Sequence, residues 1–204
     1  MAAADPEPAP AGSPAGVEDA VPAYAALLRG VNVGKAKRVS MPDLRAVFTS
    51  CGFLDVATLL QSGNVVGTTP DAVGAGAVER LEAELLRRTG VSASILLLAA
   101  GEVRTVATEN PLVARASDDS RLVVSFLSAP PDSAQVALPD ADRLAPEALA
   151  IGTRAVYQWC PDGVLQSKVP PAFWRQFAPA VVTGRNWRTV TKLLAMLEPL
   201  DRVA

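Results

Sequence analysis

Histidine is absent from all 204 residues, and this removes more chemistry than any motif adds. Imidazole is the commonest general base near neutral pH and a frequent zinc ligand. Ser-His-Asp and Cys-His arrangements are therefore excluded, as are zinc sites that need an imidazole. Cysteine is scarce, with only Cys51 and Cys160. Two thiols make neither a disulfide framework nor a Cys-only zinc site, and they point to a reducing, cytoplasmic compartment. No apolar run approaches the ~18 residues of a membrane span, so no membrane association is expected. Any catalysis falls to Lys, Arg, Asp, Glu, Tyr, a hydroxyl or a carboxylate-held metal. Nothing names a cofactor.

Lys and Arg are missing from residues 1–22, which are mostly Ala, Pro and Gly with Asp5, Glu7, Glu18 and Asp19. Such a segment has little to bury and reads as a disordered tail. It lacks the basic and apolar regions of a secretory signal, and the Arg of a mitochondrial presequence. The remaining chain is 23–100, read as one domain, and 101–204, read as a second packed on it. With 50% hydrophobic and 20% charged residues overall, it suits a soluble globular protein with a buried core. Four of the 21 acids are in the tail, so elsewhere 19 basic residues face 17 acidic ones. That balance implies no polyanion partner; the distribution of the bases matters more.

Tyr24 to Arg29 reads as a short buried strand opening into a loop with Lys35, Lys37 and Arg38. A helix follows. Ser40 and Asp43 make an S-x-x-D capping box, Pro42 sits in the first turn, and Leu44, Val47, Phe48 and Cys51 repeat as a buried stripe up to Gly52. Val56 to Gln61 and the stretch from Val65 read as strands across a Ser62-Gly63-Asn64 turn. A second helix carries Val78, Leu81 and Leu85, and Ser94 to Leu98 is a fourth strand. The order β-α-β-β-α-β is ferredoxin-like. Beyond it the expectation is a smaller α+β second half. It has a short helix from Gly101 to Thr108, a strand from Arg121 to Leu127, and a hairpin of Ala155 to Trp159 with Val164 to Gln166 across Pro161-Asp162-Gly163. A helix from Pro171 to Phe177 and a last helix capped by Asn186 complete it. The second half reads as a distorted echo of the first, without a sequence repeat to carry the point.

Two windows hold bases and no acids. Residues 20–42 contain Arg29, Lys35, Lys37 and Arg38; residues 163–197 contain Lys168, Arg175, Arg185, Arg188 and Lys192 beside Phe173, Trp174, Phe177 and Trp187. Bases with interleaved aromatics suit nucleic acid or a nucleotide, and each window runs into a helix N-terminus, which favours an anion. The bland alternative is solvated cations and core aromatics. Gly30 to Lys35 is not a P-loop: it is one residue short, and Ala36 stands where the magnesium-binding hydroxyl belongs. Cys51 lies on an apolar stripe; Cys160, in a turn, is expected to be the more exposed thiol. Trp187 reads as core.

The blocks LLRGVNVGK, SMPDLR, QSGNVV and GRNWRTVTKLL resemble the bacterial family of unknown function DUF1697 over about residues 24–197. The resemblance implies an α+β fold with a ferredoxin-like first half and supplies no reaction or ligand. Its signature positions here are Arg29, Gly30, Asn32, Gly34, Gln61, Ser62, Gly63, Asn64, Ser167, Lys168, Arg185, Asn186 and Trp187. Lys35 and Gly184 depart from its usual residues. The leading expectation is an anionic ligand (nucleotide, phosphorylated metabolite or RNA) bound between the halves by Arg29, Lys35, Lys168 and Arg185. Asn32, Gln61, Ser62, Asn64 and Asn186 would add neutral hydrogen bonds. Two further classes stay open: an enzyme acting on a phosphorylated substrate without His, and a protein-interaction module anchored by the second half's aromatics.

Overall fold

The structure is a computed structural model, and it describes residues 21–32, 38–70, 73–74, 76–132 and 134–201. All but two residues of the expected tail fall outside that set.

Strands β1 (Ala23–Arg29), β2 (Leu54–Leu59), β3 (Asn64–Thr68) and β4 (Ser94–Ala99) form one antiparallel sheet in the order β2-β3-β1-β4. This is the ferredoxin-like arrangement that the order of elements predicts. Helix α1 (Met41–Ser50) starts as its caps dictate: Ser40 Oγ accepts from the Asp43 N–H at 3.1 Å and donates to Asp43 Oδ2 at 2.6 Å. Helix α2 (Ala77–Thr89) ends on Gly90 in the left-handed conformation that a residue without Cβ reaches most easily. The two helices cover one face of the sheet. Leu44, Val47 and Phe48 of α1 and Leu81 and Leu85 of α2 bury against Ala26, Leu28, Val65 and Ile95.

The second half repeats this plan. Strands β5 (Leu122–Leu127), β6 (Ala148–Ile151), β7 (Ala155–Trp159) and β8 (Val182–Asn186) form a second antiparallel sheet in the order β6-β7-β5-β8. Counted within its own half, each sheet has the order second, third, first, fourth strand. Two short helices, α4 (Ala141–Leu144) and α5 (Pro171–Arg175), lie on its outer face, where Leu144 and Phe173 pack with Leu127 and Val156. The expected hairpin is corrected here. Val164–Gln166 is a single 3-10 turn, and β7 pairs instead with β6 and β5.

Helix α3 (Ala100–Thr108) and helix α6 (Trp187–Leu200) fill the space between the sheets. Strict alternation in the strands makes this possible, since every second residue points to the opposite face. Ala23, Ala25 and Leu27 of β1 face inward, as do Val124 and Phe126 of β5 and Ala155 and Tyr157 of β7. They share one core with Val103 and Val106 of α3 and with Val190, Leu193 and Leu197 of α6. The layers are therefore helices, sheet, helices, sheet, helices. Among the described residues no helix is long and apolar enough to cross a membrane.

Candidate functional site

The basic loop leaves β1 at Arg29. Its turn is set by Asn32, which holds a positive φ of 55°, a conformation that Asn tolerates better than most L-residues. The Asn32 amide then closes the loop upon itself. Nδ2 donates to the Val39 carbonyl at 3.0 Å, and Oδ1 accepts from the Val39 N–H at 2.8 Å. Nδ2 also donates to the Gln61 carbonyl at 2.7 Å, tying the loop to the β2–β3 turn. Lys35 lies outside the described residues; Arg38 is exposed.

The β2–β3 turn packs directly under the end of β1. Gly63 has φ +72°, and a Cβ there would lie 2.5 Å from Val31 Cγ2 and 2.8 Å from Leu28 Cβ. Only glycine satisfies both the backbone angle and the space. Asn64 is fully buried; its Nδ2 donates to the Leu59 carbonyl and to Ser62 Oγ, both at 2.9 Å.

Arg185 reaches this turn from β8, across the boundary between the halves. Its Nε donates to Asn64 Oδ1 in a short bond. One terminal nitrogen donates to Thr183 Oγ1 at 3.0 Å and to the Gly184 carbonyl at 2.8 Å. The other donates to the carbonyls of Leu28 at 2.9 Å and of Ser62 and Gly63, each at 3.2 Å. All five guanidinium donors have acceptors, and every acceptor is neutral. Loss of hydration pushes the Arg185 pKa down to about 10, so it remains a cation at neutral pH. The residue it grips, Leu28, precedes Arg29, and in this way the two basic windows meet.

Arg29 is exposed. Seven arginines, from Arg87 to Arg188, pair with carboxylates. Among the described residues none of these ion pairs involves Arg29, Arg38 or Arg185. Arg29 lines a cavity of about 360 Å³ with Ser125, Trp174, Ala178, Ala180 and Val182. Sequence reasoning had no means of joining Ser125 to this group: a lone hydroxyl in an apolar strand carries no spacing signal.

Other expected site residues go elsewhere. Lys168 donates from Nζ to the Ala145 carbonyl at 2.9 Å, and its N–H donates to Glu147 Oε2 at 2.8 Å. The buried Glu147 also accepts from Gln158 and from Ser167 Oγ at 2.6 Å. Gln158 is one residue along β7 from the inward-facing Tyr157, so this cluster belongs to the outer face, away from Arg185. Asn186 caps α6, its Oδ1 accepting from the Thr189 N–H at 3.0 Å and from Thr189 Oγ1 at 2.8 Å; Gly184 does not disturb that cap. The side chain of Gln61 is exposed and has no hydrogen bond among the described residues.

Cys160 is the more buried thiol, contrary to the expectation from its turn. It is 2% exposed, and burial with the nearby Glu147 charge pushes its pKa up to about 12. Cys51, half-buried, is also raised, chiefly by desolvation. Neither has the lowered pKa of a nucleophile. Phe173 and Phe177 are buried and meet edge to face at 5.3 Å, with Trp174 against Phe173 at 5.1 Å. Phe173 and Phe177 form a core, and Trp174, partly buried, packs against it while also lining the cavity beside Arg29. Trp187 packs against the shared core. Among the described residues no group of three or more His, Cys, Asp or Glu is placed to hold a metal ion.

A conserved bacterial protein from Streptococcus pneumoniae has a similar solved structure. The TM-score is 0.66 at 27% identity, over 88% of this chain and 99% of that one. No curated protein sequence matches the chain. The family model described as "Protein of unknown function (DUF1697)" matches residues 21–157, about two thirds of the length, and the chain belongs to that family.

Proposed function

We propose that the protein binds an anionic ligand, a nucleotide or another phosphate-bearing molecule, at the junction of its two halves. The observation that carries this reading is a pair of cations without counter-charge. Arg29 is exposed and pairs with no carboxylate among the described residues, and Arg185, which donates to the carbonyl of the preceding Leu28, has its charge enclosed by neutral acceptors. Arg29 is the contact group, with a planar fork that suits a phosphate or carboxylate. Arg185 has no donor left to give, so it acts through its field, which enclosure screens weakly. Among the described residues no acid lines the Arg29 cavity, which favours binding over acid–base catalysis. The two free thiols support a reducing compartment, the cytoplasm.

The test is a thermal-shift screen of nucleotides, phosphosugars and a short single-stranded RNA against the wild type and Arg29→Ala. A ligand at 100 times its dissociation constant adds about 2.7 kcal/mol of stability. The expected outcome is a shift for phosphate-bearing compounds that Arg29→Ala loses while its unliganded midpoint stays unchanged. No shift from any phosphate-bearing compound would end the proposal.

A further inference from the structure

The cavity beside Arg29 has a composition that an anion site alone does not need. One wall is apolar, made by Ala178, Ala180 and Val182; another is the indole of Trp174. Ser125 sits among them. It is 6% exposed, and its hydroxyl has no hydrogen-bond partner among the described residues. The residue is largely buried, but its oxygen is not sealed off and is open to the cavity, where it can meet a ligand. Strand geometry explains how it comes to point there. Ser125 pairs with Gly184 on one side and Val156 on the other, and Val156 belongs to the outer core under α5. Its side chain therefore faces α5 and Trp174, while Val124 and Phe126 on either side of it face inward.

We propose that this cavity takes a nucleoside monophosphate: the base lies against Trp174 between the apolar walls, Ser125 Oγ hydrogen-bonds the polar edge of the base, and the phosphate meets Arg29 at the rim. The proposal rests on the anion-binding reading above and adds the ligand's class. Each part of the cavity answers one part of such a ligand. A flat aromatic ring stacks on an indole whatever its sequence identity. A hydroxyl, which both donates and accepts, suits a ring edge carrying amide or amine groups. A volume of about 360 Å³ lies at the small end of ligand pockets, with room for one base and no second. One cation at the rim matches one phosphate. A bare phosphate or a phosphosugar would leave Trp174 and Ser125 without a role.

The experiment is isothermal titration of the 204-residue chain with the four common 5′-nucleoside monophosphates, adenosine, ribose 5-phosphate, inorganic phosphate and an eight-nucleotide single-stranded RNA. The expected result is a monophosphate that binds at least about tenfold more tightly than ribose 5-phosphate and than its own nucleoside, the stacking and phosphate contributions each being of that order. Trp174→Leu should remove the advantage over ribose 5-phosphate, and Arg29→Ala the advantage over the nucleoside. Ser125→Ala deletes one hydroxyl from a strand that keeps its backbone pairing; it should weaken the monophosphate several-fold and leave ribose 5-phosphate unchanged. This variant decides the matter if Trp174→Leu fails to fold. If ribose 5-phosphate or inorganic phosphate binds as well as every monophosphate, the inference is overturned and the anion site survives. RNA binding more than tenfold tighter than any monophosphate, with a steep salt dependence, overturns it in favour of a polymer. Silence from every phosphate-bearing compound overturns both readings.

Discussion

Arg185 is a structural latch before it is anything else. It joins β8 to the end of β1 and to the β2–β3 turn, giving donors to Asn64, Thr183, Gly184, Leu28, Ser62 and Gly63. Removing it strands several enclosed acceptors, each costing about 1–3 kcal/mol when left unpaired. Arg185→Ala should therefore lower stability by at least about 3 kcal/mol, a fall of roughly 6–12 °C in a chain of this size. Urea unfolding followed by tryptophan fluorescence reads this directly. Arg185→Lys should recover less than half, because an ammonium offers three donors from one point and cannot span the turn. A change within about 0.5 kcal/mol for Arg185→Ala, the range of an ordinary surface substitution, would mean the latch holds nothing. Burying the charge has its own cost. A base whose pKa falls on folding destabilises the native state below its folded value, here about 10, and the cost fades as pH rises beyond it. Asn32, Gly63, Asn64 and Arg185 were legible in the sequence as signature positions of the resembled family, Gly63 and Asn64 also as turn residues. Their partners were not, since Arg185 and Asn64 stand 121 positions apart.

Elements with strong periodicity and caps were legible; short polar ones were not. Helices α1 and α6 announce themselves through Ser40, Asn186 and their apolar stripes. Strands β6 and β8 escape notice because ALAI is four residues long and VTGRN spends its inward positions on Thr183 and Arg185, which serve the latch. At this scale the acid sensitivity of the α1–α2 layer follows from Glu84. It accepts from Arg87 at 2.6 and 2.7 Å and from Ser50 Oγ, at the end of α1, at 3.3 Å. These bonds, Arg87 first, hold its pKa at about 2 against an ordinary 4.5. A carboxylate depressed in this way contributes stability above pH 4.5 and loses it as the pH falls towards 2. Glu84→Gln should accordingly be less stable than wild type at pH 6, with the difference closing by pH 2–3. Midpoints measured across that range check it; a constant difference would assign the effect to packing.

The whole molecule is two similar sheets over one shared pair of helices. Tyr157 of β7 donates to the Val106 carbonyl of α3 at 2.7 Å, and α6 packs against β1 and β3 on one side and β5 and β8 on the other. One core contains inward residues of both sheets. Neither half can keep its inner face dry alone: Ala23, Ala25, Leu27, Leu96 and Leu98 would be exposed without α3 and α6. A single cooperative transition is expected. Trp159, Trp174 and Trp187 all lie in the second half, so their fluorescence reports that half, whereas far-ultraviolet circular dichroism reports both. The two signals should coincide in denaturant. Separate midpoints would show that the halves unfold independently.

Local chemistry was enough for the first sheet, its helices and the last helix, because capping, turn geometry and alternation act within a few residues and leave their mark on neighbouring letters. The absence of histidine narrowed the chemistry in the same direct way. The second sheet's strand order, the burial of Cys160, the diversion of Lys168 to Ala145 and Glu147, and the meeting of Arg29 with Ser125 and Trp174 belong to tertiary structure. Each depends on which distant segments share a face, and that is decided by the burial of two whole sheets against α3 and α6, a free energy that no short window of the chain contains.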